Sequence, residues 1–165
     1  MNDDFNRRLA EVHWPDGCSP EEADHFAHNE IFIAAPRHVI WHNLIEAEKW
    51  PEWYSNSHDV RVVGSSTGVL EADSVFDWST FGLALTSRIW EFAPESRIGW
   101  FGDTEGLHAY HTWLLLEEEN GCRVVMEEVG KGPTAIAMHR DQPDAMHEGH
   151  DLWNESLKRL SEGPR

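Results

Sequence analysis

This chain has little cysteine, little positive charge and no long apolar run. Its two cysteines, Cys18 and Cys122, are far apart and outside any Cys-x-x-Cys spacing, which excludes a disulfide framework and a cysteine-type zinc site. Thirteen Lys and Arg stand against thirty Asp and Glu, a formal net charge of −17. Phosphate recognition needs clustered cations, so no nucleic-acid partner is expected, and docking on an anionic membrane face is disfavoured. The apolar runs are far below spanning length, so no membrane insertion is expected either. The opening MNDDFNRR has acids and no apolar h-region, which is not the form of a secretory signal, and a reducing cytoplasm is the expected compartment. No GxSxG, Walker or dinucleotide-type glycine pattern occurs, and Gly130-Lys131-Gly132 is too short to cradle a phosphate. No cofactor is implied.

What the chain does have is tryptophan: nine, at positions 14, 41, 50, 53, 78, 90, 100, 113 and 153. So many large amphipathic rings imply wide aromatic walls, either filling a core or lining a cavity. At 165 residues one domain is expected, with a core that needs no staples.

Element signals run in a definite order. Phe5, Leu9 and Val12 fall at helical spacing, and Ser19-Pro20-Glu21-Glu22 has the form of a capping box. Residues 1–27 therefore read as an N-terminal helical arm, packed on the domain 28–162 or on a second copy in a homodimer. Ile31–Ile33 reads as a short strand, Ala34-Ala35-Pro36 opens a helix carrying Ile40, Trp41 and Leu44, and Trp50-Pro51-Glu52-Trp53 is an aromatic turn. Strand-like segments follow at 60–64, 74–80, 83–92, 97–101, 108–116 and 122–129, with an acidic loop at 102–106 and a breaker at 130–133. From Asp144 to Leu160 the period becomes helical, with Met146, His150, Trp153, Leu157 and Leu160 on one face. Strands followed by one long helix suggest an α+β curved antiparallel sheet around that helix.

With IFIAAP and VIWHNL, WPEW, FDW at 76–78, LTSRIWEFAPESRIGW at 85–100, HTWLL at 111–115, GCRVVMEEVGKGP at 121–133 and HDLWNESLKRL at 150–160, the chain resembles the START-like helix-grip superfamily (SRPBCC). That superfamily includes polyketide cyclases and aromatases, lipid-transfer proteins and birch-pollen-allergen homologues. The resemblance covers residues 28–160 and implies a seven-stranded antiparallel sheet gripping the C-terminal helix, with a cavity between them. It implies no single activity, since this superfold hosts carriers and enzymes alike. The segment from Ile31 to Trp53 would then supply an edge strand and short helices that partly close the cavity mouth.

Side chains alternate across a strand, so one face of the sheet must point at the helix. The most apolar consistent choice turns Phe76, Trp78, Leu85, Ser87 and Ile89 inward, with Ile98, Trp100, His111, Trp113 and Leu115. Met126 and Glu128 join them if Val124 faces in. Met146, His150 and Trp153 come from the helix, and a cavity of a few hundred cubic ångströms (~300 or more) is expected. His111 is the sharpest polar candidate, able to orient a ligand oxygen or move a proton near neutral pH. His150 breaks an apolar helix face and is placed to meet His111. An inward Glu128 should either be raised in pKa or find a cation or imidazole. His38 with His42, and His147 with His150 and Asp151, have metal-like spacing without an identifiable third ligand, so no metal is expected.

The principal reading is binding or transport of a hydrophobic, aromatic-containing small molecule. The alternative is a cyclase/aromatase-like or dehydratase-like enzyme whose acid–base candidates are His111, Glu128 and His150. A third is an interaction module using the arm and an exposed Trp50/Trp53 loop.

Overall fold

The computed structural model describes residues 3–164. Seven antiparallel strands form one sheet in the order β1-β7-β6-β5-β4-β3-β2. They are β1 (His25–Ile33), β2 (His58–Val62), β3 (Val75–Thr80), β4 (Leu83–Ala93), β5 (Arg97–Thr104), β6 (Leu107–Glu118) and β7 (Gly121–Lys131). Helices α1 (Asp4–Arg7), α2 (Arg37–Ile45), α3 (Trp50–Trp53) and α4 (Pro133–Asp141) are short, and α5 (Ala145–Ser161) is the long C-terminal helix. This is the α+β helix-grip architecture that the order of motifs implies. No helix among the described residues is long and apolar enough to cross a membrane.

The inward set forms one continuous face because strand pairing keeps its parity across the sheet. Phe76 opposes Ser87, Trp78 opposes Leu85, Ile89 opposes Trp100, and Ile98 opposes Trp113. Trp100 opposes His111, His111 opposes Glu128, Trp113 opposes Met126, and Leu115 opposes Val124. A bulge in β4 between Ile89 and Glu91 resets the alternation. It lets both Ile89 and Phe92 join the core while Glu91 turns outward to Arg97, 3.0 Å away, and to His13.

Six of the tryptophans (Trp41, Trp50, Trp78, Trp100, Trp113 and Trp153) fill this core more than they line a hollow, while Trp14 and Trp90 lie outside it. Trp50, Trp100 and Trp113 are fully buried, and Trp153 of α5 lies at their centre, with ring centroids 5.3 Å from Trp50, 5.8 Å from Trp78 and 5.1 Å from Trp113. Tyr54 stacks on Trp153 at 4.5 Å with the planes nearly parallel. Each such ring buries ~150–250 Å² and contributes roughly 4–6 kcal/mol before entropy is charged.

Several local expectations need correcting. β1 starts at His25, so residues 25–27 belong to the sheet; His, Asn and Glu in its first half hid its extent. β5 runs through most of the expected acidic loop, to Thr104. After Gly132, with φ of 104°, the chain enters α4, a helix the breaker reading omitted. The helix at Phe5 ends at Arg7, and Leu9 and Val12 instead lie over the outer sheet face against Leu114 and Val125. WPEW is a helical turn whose Trp50 is wholly buried and donates its indole N–H to Leu44 O at 3.0 Å. It offers no exposed Trp50 to a partner. Leu160, expected on the buried face of α5, is 42% exposed.

Candidate functional site

Three elements bring His111, Glu128 and His150 together. His111 and Glu128 sit directly opposite on β6 and β7, and α5 lays His150 over them. His111 Nδ1 donates to Glu128 Oε2 at 2.8 Å, and His150 Nε2 donates to the same oxygen at 2.8 Å. The ring nitrogens must be the donors, since an ionised carboxylate only accepts. Burial alone would raise the Glu128 carboxyl, but the two imidazole hydrogen bonds outweigh it and hold Glu128 well below the usual carboxylate range. For His111, burial dominates and pushes the imidazole below the ordinary histidine value, with the bond to Glu128 opposing it. The ring of His111 packs against two indoles, stacked on Trp100 at 4.9 Å and on Trp153 at 5.3 Å. The far nitrogens, His111 Nε2 and His150 Nδ1, are buried without a hydrogen-bond partner.

This cluster borders a hollow between the sheet, α4 and the first turns of α5. Of the sequence candidates, Trp78, Leu85, Trp100, His111, Glu128, Met146, His150 and Trp153 line it. Phe76, Ser87, Ile89, Trp113, Leu115 and Met126 share the inward face but are packed in the core away from it. The space open to the centre of a water-sized sphere is about 50 Å³, room for a few waters. The expected cavity of a few hundred cubic ångströms is therefore absent in this conformation, because indole rings occupy the volume. The segment 34–57 does not border the hollow; α2 and α3 close the opposite end of the core.

The cover comes from residues the sequence did not single out: Ala135, Met138, His139 and Gln142 around α4, and Phe81 in the β3–β4 turn. Phe81 has φ of 51° and packs so closely on α5 that a Cβ at Gly149 would lie 2.3 Å from its ring. His139 of α4 meets His25 of β1, with ring nitrogens 3.0 Å apart. Burial, and then His139, push His25 below the ordinary histidine value. A histidine on an edge strand facing the start of α4 was the available signal, but it required the full length of β1.

The other histidine spacings do not assemble. His38 and His42 are exposed on α2. His147 bonds Asp4 Oδ2 at 2.7 Å, and Asp151 accepts from Asn29 at 2.7 Å, so neither joins His150.

No protein-family model matches the sequence, and no curated protein does. Solved structures do match by shape. A hypothetical protein from Helicobacter pylori is 27% identical, with a TM-score of 0.86 over 94% of this chain and 98% of that one. The di-domain ARO/CYC BexL from the BE-7585A biosynthetic pathway is 18% identical, with a TM-score of 0.69 over 86% of this chain and 51% of its own. Truncated norcoclaurine synthase from Thalictrum flavum is 13% identical, with a TM-score of 0.67 over 86% of this chain and 95% of that one. These likenesses agree with the strand order and the gripped helix, and the chain has the START-like helix-grip (SRPBCC) fold.

Proposed function

We propose that this protein binds a hydrophobic, ring-bearing small molecule between the sheet, α4 and α5. The observation that carries this is an apolar hollow that ends on a buried polar cluster. Trp78, Trp100, Met138, Met146 and Trp153 supply apolar walls, and His111, Glu128 and His150 supply the few polar groups that orient a ligand. The two unpartnered imidazole nitrogens are free to bond a hydroxyl or amide of the guest. Since the hollow is small, uptake requires α4 and the Phe81 turn to move aside. Tryptophan fluorescence tests this directly, because Trp100 and Trp153 border the hollow. Titration with naphthols, flavonoids, sterols and fatty acids should change the emission saturably for at least one class. No response across the panel would overturn the reading.

A second reading is enzymatic. A neutral imidazole whose N–H is held by an ionised carboxylate can accept a proton at its other nitrogen, here His111 Nε2, from carbon next to a carbonyl, while Glu128 steadies the imidazolium that forms, as a cyclase-like or dehydratase-like reaction needs. Shape likeness to an ARO/CYC protein and to norcoclaurine synthase supports asking the question. Under this reading Glu128→Gln abolishes turnover of a bound molecule while leaving its uptake within a few-fold. Equal turnover in both forms would remove it.

A further inference from the structure

We propose that His111, Glu128 and His150 form a binding site for a divalent transition-metal ion, with one coordination position open to the hollow. This rests on the same site as the binding reading and adds its inorganic partner. The two imidazole nitrogens and the carboxylate oxygen that converge lie within 4.8 Å of one another and come from β6, β7 and α5. A two-histidine, one-carboxylate set with an open position is the donor pattern of catalytic zinc and of ferrous centres. A tetrahedral ion with bonds of ~2.0–2.1 Å wants donors ~3.4 Å apart. The carboxylate–imidazole distances of 2.8 Å must open slightly and the two nitrogens close, which small side-chain rotations supply.

Charge and packing point the same way. Glu128 is an inward carboxylate whose ion-pair partners among the described residues are these two imidazoles, with no Lys or Arg. Buried charges are ordinarily paired with a full countercharge or bound to a metal. The hydrogen bond that usually fixes a ligating imidazole from its far side is replaced at His111 by the faces of Trp100 and Trp153. A divalent ion here would hold a guest's carbonyl or hydroxyl oxygen at the polar end of the hollow. Nitrogen and oxygen donors without thiolate suit zinc, ferrous iron or cobalt, and disfavour cuprous ion. None of the local sequence spacings shows this set, because its three members are 17 and 22 residues apart.

The test is titration of EDTA-treated, dialysed protein with cobalt chloride, followed by visible absorption and tryptophan quenching. One equivalent should bind with the spectrum of imidazole and carboxylate ligation, and it should quench the tryptophans stacked on His111. Glu128→Gln and His111→Asn should each weaken binding by at least about tenfold, whereas His38→Gln/His42→Gln should not change it. The wild-type cobalt spectrum stands alone if a variant fails to fold. No saturable cobalt binding, or binding of several equivalents untouched by Glu128→Gln, overturns the proposal. Repeating the apolar-ligand titration with and without metal separates the two readings. A metal-free protein that takes up naphthol and never binds cobalt defeats this inference alone. One that binds cobalt and no apolar molecule supports it and defeats the ligand reading.

Discussion

His111 Nδ1 and Glu128 Oε2 lie 2.8 Å apart because the β6–β7 ladder sets their residues directly opposite each other. The pairing is thus set by strand register, and side-chain rotation adjusts the contact only locally. Its energetic weight follows from burial. Glu128→Ala would leave two buried imidazole N–H groups without an acceptor, each costing about 1–3 kcal/mol. A loss of about 3–5 kcal/mol is expected in urea unfolding, the range for breaking a buried pair. The double variant with His111→Ala should recover at least about 1 kcal/mol. A coupling of zero would show that the pair is not formed in solution.

The relationship also shows what a sequence can disclose. That His111 and Glu128 face inward follows from alternation once Trp113 and Met126 are taken as core. That His150 faces the sheet follows from its place between Met146 and Trp153. Their meeting at one oxygen needs the β6–β7 register, which no local pattern carries. The bulge before Glu91 reverses the face of every later residue in β4, and only an unpaired residue in the structure reveals it. α4 is hidden because PTAIAMHRD follows Gly-Lys-Gly and shows one buried residue, Ala135, so it lacks a periodic apolar face. Whether nine tryptophans line a cavity or fill it depends on volumes that composition does not contain.

Trp153 offers the sharpest test of the filled core. It touches Trp50, Tyr54, Trp78, Trp100, His111 and Trp113. Trp153→Ala should cost about 3–5 kcal/mol, the range for removing a buried indole. It should also open the hollow, so that larger apolar guests bind at least tenfold better than to the wild type. Calorimetric melting and fluorescence titration measure both, and unchanged selectivity for guest size would contradict the packing account.

The pH response has opposed contributions. His25 and His111 are held below their ordinary value of 6.5, and Glu128 below 4.5. For such groups the unfolded chain binds more protons, so the stability present above the ordinary value is lost as pH falls toward the folded one. His28 behaves oppositely. Burial would lower it, but its bonds to Glu127 and Glu30 prevail and raise it above 6.5, so its stabilisation is full below that value and is lost as pH rises. Urea midpoints at about pH 7.5 and 5 should therefore separate two variants. Relative to the wild type, His25→Asn should shift the change between pH 7.5 and pH 5 toward greater stability in acid, and His28→Asn should shift it toward less. Shifts of the same sign in both would contradict these assignments.

The arm makes a prediction that keeps stability and site apart. We read residues 3–24 as a cover for the outer sheet face. Val12 packs on Leu114 and Val125, and Trp14 meets Phe26 at 6.2 Å and Tyr110 at 5.9 Å. Beneath lie Tyr110, Val125 and Val129, all nearly inaccessible, and the wholly buried His28–Glu127 pair. Trp14 is itself half-buried, so Trp14→Ala should cost about 2 kcal/mol, below the range for a fully buried indole. Guest affinity in the hollow, on the other side of the sheet, should stay within about twofold, since sites without shared partners act independently. Removing residues 1–24 should expose the apolar face and drive self-association in light scattering. A truncated chain that stays monomeric with an unchanged melting temperature would show that the cover contributes nothing, and that the outer face is stable in water without it.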